Sequence, residues 1–462
     1  MKTLKAQSLF VLIALLYLAT GCAGPQAAER KPNVLIILTD NQGTLDVNCY
    51  GSTDLYTPNM DRLAAEGVRF TQAYAHTVCC PTRAMLLTGR YPQRSGVTTW
   101  TQGNMKSETG VNMALSEVTL AEVLQDAGYR TALFSKWHLG AAETHGPRRQ
   151  GFETFFGHRG GFIDNYNHHF LHGRGFHDLY EGTTEVFQRD KYFPDLMTKR
   201  ALDYIEAHQD EPFFLYYAMN IPHYPEQADA KFDERYKDLP MPRQSYAKMV
   251  STTDDRIGQV LGKLDALDLT DDTIIVFMSD NGHSEENNNG IAVDNHSSGL
   301  PKGHYYLAHG GGGYTGKWRG AKGSYYEGGV RIPAMIRYPK KVEQGQARDQ
   351  LVTAMDIMPT VLDWCGLPLP EGVSLDGQSL DGIIRRDTPT GYETMHWGWR
   401  TGWAIRSGNW KLIKPQRSDQ LELVNLTDEE PERTNHVSQR PELVTKLLEQ
   451  QNAWLAETAG SE

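Results

Sequence analysis

The stretch Asn33-Val34-Leu35-Ile36-Ile37-Leu38-Thr39-Asp40-Asn41-Gln42-Gly43 decides the fold. Val34 to Leu38 is an unbroken apolar, partly β-branched run, the pattern of a strand buried on both faces. Thr39 to Gly43 follows at its C-terminal end, the edge at which open α/β sheets bind ligands. A carboxylate at that edge reads as functional before it reads as a surface charge.

The same rhythm repeats downstream. Thr57-Pro58 caps a helix through Glu66, Gly67 ends it, and Val68 to Ala75 returns as a strand. Thr119-Leu120-Ala121-Glu122 is a capping box whose helix ends at Gly128. The strand Arg130–Phe134 delivers Ser135-Lys136-Trp137-His138-Leu139-Gly140. A helix from Asp195 to about His208 precedes the strand Pro212–Ala218, which empties into Asn220-Ile221-Pro222-His223. A helix from Tyr246 to Leu267 precedes the strand Thr273–Met278, which ends at Ser279-Asp280-Asn281-Gly282-His283. Alternating strands and helices predict an α/β fold, a large mainly parallel sheet sandwiched by helices. One further strand, Ile332–Tyr338, follows Tyr325-Tyr326-Glu327-Gly328-Gly329-Val330. After Pro359 the texture changes. Trp403–Ile413 reads as a hairpin turning at Ser407-Gly408-Asn409, Leu421–Leu426 as another strand, and Glu442–Leu455 as an amphipathic helix. That is a small antiparallel subdomain with a helix packed on it.

Between the first two strands and the capping box lies Val78-Cys79-Cys80-Pro81-Thr82-Arg83-Ala84-Met85-Leu86-Leu87-Thr88-Gly89-Arg90. Pro81 suits the first position of a helix and Gly89 its stop, so Cys79 falls just before a helix N-terminus, where the dipole favours anions. Arg83, one turn on, can point back at the same spot. A lone cysteine is most simply a buried structural residue; the Cys-x-Pro-x-Arg spacing followed by Leu-Thr-Gly-Arg favours a nucleophile or a modification site.

The formal net charge of −11 over 462 residues argues against nucleic acid or an anionic membrane surface as partner. The five cysteines (Cys22, Cys49, Cys79, Cys80, Cys365) show no disulfide framework. Lys2 and Lys5 followed by the apolar Leu9 to Ala19 form a targeting segment too short to read as a spanning helix. It ends Leu18-Ala19-Thr20-Gly21-Cys22, which resembles a bacterial lipoprotein signal with Cys22 as the lipidated mature N-terminus; simple secretion is the alternative. Two long segments interrupt the α/β rhythm. Residues 141–190 are rich in His, Gly and aromatics (His158, His168, His169, His172, His177), and residues 284–327 in Gly and Asn. Without clean ligand spacing, the histidines read as substrate contacts or loop surface rather than a zinc site.

Asp40, Asn41, Asp280 and Asn281 are oxygen ligands at the ends of two strands, a set that suits calcium or magnesium rather than zinc. Arg83, Lys136, His138, His223 and Lys322 add positive or proton-transferring groups at similar loop positions. Together they describe a pocket for a tetrahedral oxyanion ester.

Cys79-Cys80-Pro81-Thr82-Arg83 with Leu87-Thr88-Gly89-Arg90 resembles the motif of the formylglycine-dependent (type I) sulfatases of the alkaline phosphatase superfamily. Lys136-Trp137-His138-Leu139-Gly140, Ser279-Asp280-Asn281-Gly282, Lys322-Gly323-Ser324-Tyr325-Tyr326-Glu327-Gly328-Gly329 and Ile405–Leu412 support it, in family order from residue 33 to about 440. The resemblance implies an alkaline phosphatase-like fold and hydrolysis of sulfate esters. It implies that a maturation enzyme oxidises Cys79 to formylglycine, whose hydrate attacks sulfur and then eliminates sulfate. It implies a calcium ion, magnesium being the weaker choice, held by Asp40, Asn41, Asp280 and Asn281 and touching the Cys79-derived group. Arg83 and Lys136 would stabilise the nucleophile and His138 help the elimination. His223 and Lys322 would bind sulfate and serve the leaving oxygen, His223 as the acid, with His283 added on the substrate side. The layout expected is a signal peptide over 1–22, a tether over 23–31, a catalytic sulfatase domain over 32–358 and a C-terminal subdomain over 359–462.

Two positions depart from the family pattern. Asn41 stands where Asp is usual, removing one negative charge from the metal set, and Thr82 stands where Ser is more common. An export route and aromatic, His-rich loops point to sulfated carbohydrate at the periplasm or cell surface, reached in part through a lipid anchor. Two alternatives stand beside this: a phosphodiesterase or phosphonate-ester hydrolase using the same modified residue, and a catalytically silent glycan-binding surface protein in which Cys79 stays a thiol. The sugar, the sulfate position and endo or exo action are not legible.

Overall fold

The Asn33–Thr39 strand (β1) is the spine of the molecule. In the computed structural model, which describes residues 30–97, 112–171, 175–287, 298–301 and 306–459, every residue of this strand is buried. Val34, Ile36 and Leu38 enter one core, and Leu35 and Ile37 the other. Burying such a side chain is worth about 1.5–3 kcal/mol, so an all-apolar strand belongs where both faces are covered. The expected signal segment, Cys22 and His172 lie outside the described residues.

Around β1, strands Val68–Tyr74 (β2), Arg130–Lys136 (β3), Thr154–His158 (β4), Phe213–Ala218 (β5), Thr273–Ser279 (β6) and Arg331–Arg337 (β7) form the main part of one sheet. Its order is β2-β7-β6-β1-β5-β3-β4. Short strands extend both edges: Gln346–Arg348 and Val352–Thr353 on β2, and Tyr180–Glu181 followed by Thr184–Glu185 beyond β4. The pairs from β6 through β4 are parallel, whereas β7 runs antiparallel between β6 and β2. The expected mainly parallel sheet is therefore present, with β7 as its reversed member.

Helices cover both faces. Pro58–Glu66 (α1), Phe193–Ala207 (α4) and Arg243–Ala266 (α5) pack on the Leu35 face. Cys79–Thr88 (α2), Leu120–Asp126 (α3) and Ile357–Trp364 (α6) pack on the Val34 face. The Thr119–Glu122 capping box is formed as predicted. The α1 cap is not. The Thr57 side chain turns to the Asn48 N–H, and Asp254 of α5 accepts the Asn59 and Met60 N–H groups at 3.1 and 2.8 Å instead. A cap supplied from 195 residues away leaves no local trace. β4 was also unmarked in the sequence, because its Thr-Phe-Phe-Gly-His run sits in a His- and Gly-rich segment; it pairs in parallel with β3.

Met395–Trp399 (β8), Gly402–Ser407 (β9), Trp410–Lys414 (β10) and Glu422–Asn425 (β11) form the expected small antiparallel sheet, with Pro441–Ala459 (α7) packed on it. The described residues from Pro32 onward make one compact unit, with α6 running from the large sheet's core toward the small sheet's segment. Polar contacts tie the small sheet to the segment after Lys322. Lys411 Nζ lies 2.9 Å from Glu327 Oε1, Arg331 Nε 2.7 Å from Oε2, and the Tyr74 hydroxyl donates to Oε2 at 2.6 Å. Arg406 donates to that same Tyr74 hydroxyl, and Glu432 accepts the Glu327 N–H at 2.9 Å. Lys411, Arg331 and Arg406 outweigh burial and hold Glu327 far below the carboxylate range.

Asp254→Ala removes a buried cap and is expected to cost about 1–2 kcal/mol, read as a lower urea midpoint and Tm. Asp254→Asn, which keeps an acceptor oxygen, is expected to lose less.

Candidate active site

β1 and β6 pair in register up to Thr39 opposite Ser279, so the chain leaves both strands side by side. That places Asp40-Asn41 against Asp280-Asn281. The contact is pinned by backbone: Asp40 N–H bonds Ile221 O, Asp280 N–H bonds Thr39 O at 3.0 Å, and Asn41 N–H bonds Asp280 Oδ1 at 3.2 Å. Asn41 sits in the left-handed region (φ 65°), as do Ser135 (φ 93°) and His138 (φ 57°) at the end of β3. Non-glycine residues held there carry about 1–3 kcal/mol of strain each and cluster at functional sites.

α2 aims its N-terminus at this edge. It starts at Cys79 itself, with Val78 as N-cap, so Pro81 is the third helical residue rather than the first. Its missing N–H still has no intrahelical duty there, and Gly89 ends the helix in the left-handed conformation (φ 66°) as predicted. Arg83 does reach the strand ends. Its Nη2 lies 2.8 Å from Asp280 Oδ2 and 3.7 Å from Asp40 Oδ2, and Nη1 donates to the Lys136 carbonyl at 2.9 Å. Lys136 Nζ lies 2.5 Å from Asp40 Oδ2. All four side chains are fully buried: two carboxylates matched by two cations.

Cys79 Sγ lies 3.2 Å from His138 Nδ1. Burial pushes the thiol pKa up, with Asp40 and Asp280 adding to it against the pull of Lys136. The helix N-terminus does not make this a low-pKa thiolate. Burial holds His138 neutral, and the cations Lys136 and Arg83 reinforce that. His223, buried and likewise held neutral, donates from Nδ1 to the Tyr224 carbonyl at 2.5 Å, which leaves Nε2 as the acceptor facing Lys322 Nζ at 3.3 Å. Burial opposes the Lys322 charge, but Glu286 at 2.8 Å outweighs it and raises Lys322 above the lysine range. His283 is tied to Lys322 through its backbone. Its carbonyl accepts the Lys322 N–H at 2.9 Å, while its ring packs against Gly313, where a Cβ would come within 2.2 Å.

The donor chemistry fits a hard cation. One ligand atom each from Asp40, Cys79 and Asp280 lies within 4.8 Å of the others. Asp40 Oδ1 and Asn281 Oδ1 are buried oxygens that accept no hydrogen bond among the described residues. The Asn281 amide cannot be reversed freely, because its Nδ2 donates both to Gly282 O and to Asn41 Oδ1, each at 2.8 Å. Asn281 therefore presents its oxygen to the site, while the oxygen of Asn41 is already shared with a neighbouring N–H. Tyr246, not singled out in the sequence, steadies this turn: its hydroxyl donates to Asn41 O and accepts the Gly43 N–H, both at 3.1 Å. It lies at the expected start of an amphipathic helix, where nothing separates it from a core residue.

A family model described as sulfatase matches residues 32–367, and one for the N-sulphoglucosamine sulphohydrolase C-terminal region matches 318–458. The chain belongs to the sulfatase family, the alkaline phosphatase-like hydrolases of sulfuric esters. It is 29% identical to an N-acetylgalactosamine-6-O-sulfatase of Bacteroides thetaiotaomicron, over 91% of this chain and 92% of the relative. It is 32% identical to arylsulfatase A of Homo sapiens, over 80% and 70%. The solved structure of Ps i-CgsB in complex with k-i-k-neocarrahexaose superposes with a TM-score of 0.78 at 27% identity, covering 92% and 93%.

Asp280→Ala leaves the buried Arg83 under-compensated and is expected to cost about 3–5 kcal/mol in metal-free protein. Cys79→Ala should leave thermal stability within about 1–2 kcal/mol; calorimetric melting of both variants checks the contrast.

Proposed function

We propose that this chain is a sulfatase of sulfated carbohydrates that uses a formylglycine made from Cys79 and a bound calcium ion. One observation carries the reading: the buried residue at the N-terminus of α2 lies with two carboxylates, an accepting amide oxygen and Lys136 at the ends of β1, β3 and β6, and with Arg83 of α2 itself. Asp40, Asp280 and Asn281 would hold the calcium, with Asn41 as the weaker fourth partner. When present, that ion supplies positive charge to the sulfate oxygens and to the matured residue. Matured to formylglycine, Cys79 would supply the attacking oxygen through its hydrate. The raised pKa of the Cys79 thiol fits a precursor better than a thiolate nucleophile.

The remaining roles belong to the chain itself. Arg83 and Lys136, locked by Asp280 and Asp40, supply fixed positive charge that needs no rearrangement during reaction. His138, neutral and 3.2 Å from Cys79 Sγ, is placed to accept the proton that releases sulfate. Lys322 and His223 act as a pair on the leaving side. The proton resides on Lys322 in the substrate-free protein, so His223 as acid draws on that contact.

Carbohydrate as substrate is supported by the names of the relatives, an N-acetylgalactosamine-6-O-sulfatase and a neocarrahexaose-bound structure. Export to the periplasm or cell surface rests on residues 1–22, with Cys22 as the lipidation site. No helix among the described residues is long and apolar enough to cross a membrane.

Sulfate release from a panel of sulfated oligosaccharides by matured enzyme tests the reading; turnover of small aryl sulfates alone would overturn the carbohydrate assignment. Cys79→Ala is expected to abolish turnover. An unmodified Cys79 peptide from the native host would instead favour the silent glycan-binding alternative. Asn41→Asp, restoring a carboxylate, is expected to tighten calcium binding about tenfold by titration calorimetry.

A further inference from the structure

Exposure rises from Cys79 through Lys322 to Glu286. Cys79 is 1% exposed, the Lys322 side chain 6%, and the Glu286 side chain 45%. Lys322 Nζ lies 3.3 Å from His223 Nε2 and 2.8 Å from Glu286 Oε2, and its charge bears on the Cys79 thiol. A sulfate held at Lys322 would therefore direct its alcohol outward, toward Glu286.

Glu286 is fixed in this place. Ser284 Oγ donates to its Oε2 at 2.9 Å, its N–H bonds Ser284 Oγ at 3.1 Å, and its carbonyl accepts the Gly310 N–H at 3.1 Å. These side-chain contacts use Oε2; Oε1 makes none among the described residues. Burial notwithstanding, Lys322 and His223 hold the carboxyl at about 2, so it is an anion at neutral pH. A half-exposed, anchored carboxylate accepts hydroxyl hydrogens from a sugar and repels a second negative group.

We propose that Glu286 is a specificity-determining residue for the alcohol part of the substrate. It selects a sulfated sugar that presents hydroxyls around the scissile ester over one carrying a uronate carboxylate or a second sulfate there. This rests on the sulfatase reading above and narrows its substrate class.

The test compares kcat/KM of matured enzyme for a monosulfated sugar and for the same sugar bearing a second sulfate on the adjacent carbon. Using a ratio cancels any effect of Glu286 on Lys322 that both substrates share. Wild type should prefer the monosulfated sugar. Glu286→Gln should shrink the preference by about tenfold, as expected for one like-charge pair in a partly screened site. Glu286→Asp, which keeps the charge, should retain most of the preference. A ratio unchanged in Glu286→Gln, or a wild type that prefers the disulfated sugar, overturns the proposal. Sulfate release from the monosulfated sugar by wild type, which the ratio already requires, separates the two failures: without it the carbohydrate-sulfatase reading falls, and with it only the Glu286 assignment does.

Discussion

Everything at this site depends on the in-register pairing of β1 with β6. Because Thr39 lies opposite Ser279, the two Asp-Asn pairs emerge at one level and their carboxylates share one buried volume. Two buried carboxylates repel, and burial with Asp40 alongside pushes Asp280 up. Arg83 and Lys136 make the arrangement tenable. A slip of one residue would send each side chain to the opposite face and leave four buried charges without their partners.

The same constraint explains the far C-terminal motif. Arg406 and Lys411 do not touch the strand ends. They reach Tyr74 and Glu327, and Glu327 lies inside the segment running from Lys322 into β7. The small sheet is a clamp on one strip of backbone, the strip that carries the outermost cation of the site.

Much of this was legible in the chain. Val34–Leu38, the Thr119–Glu122 box and Gly89 behave as their local chemistry dictates, since burial, capping and positive φ are decided by few neighbouring residues. The site residues were legible through spacing, and the structure gathers Asp40, Asn41, Cys79, Arg83, Lys136, His138, Asp280 and Asn281 into one cluster, with His223 and Lys322 beside it. What escaped notice shares one property, dependence on distant partners. The antiparallel direction of β7 is set by its neighbours, Asp254 caps a helix from another layer, and Tyr246 and Glu286 gain meaning only from what the fold places opposite them. The His283 side chain packs against Gly313 of the glycine-rich loop, a neighbour the sequence does not mark.

Arg83 joins residues 53 and 197 positions away, and Asn41 meets one 240 positions away. The charges that balance one another are thus contributed by segments that are strangers along the chain. Partial assembly offers no partial site, because each missing segment strands a charge in the core. Such long-range closure slows folding, and it makes the cluster an internal check on completeness: a chain interrupted anywhere between β1 and β7 forfeits both the chemistry and the electrostatic peace of its own interior.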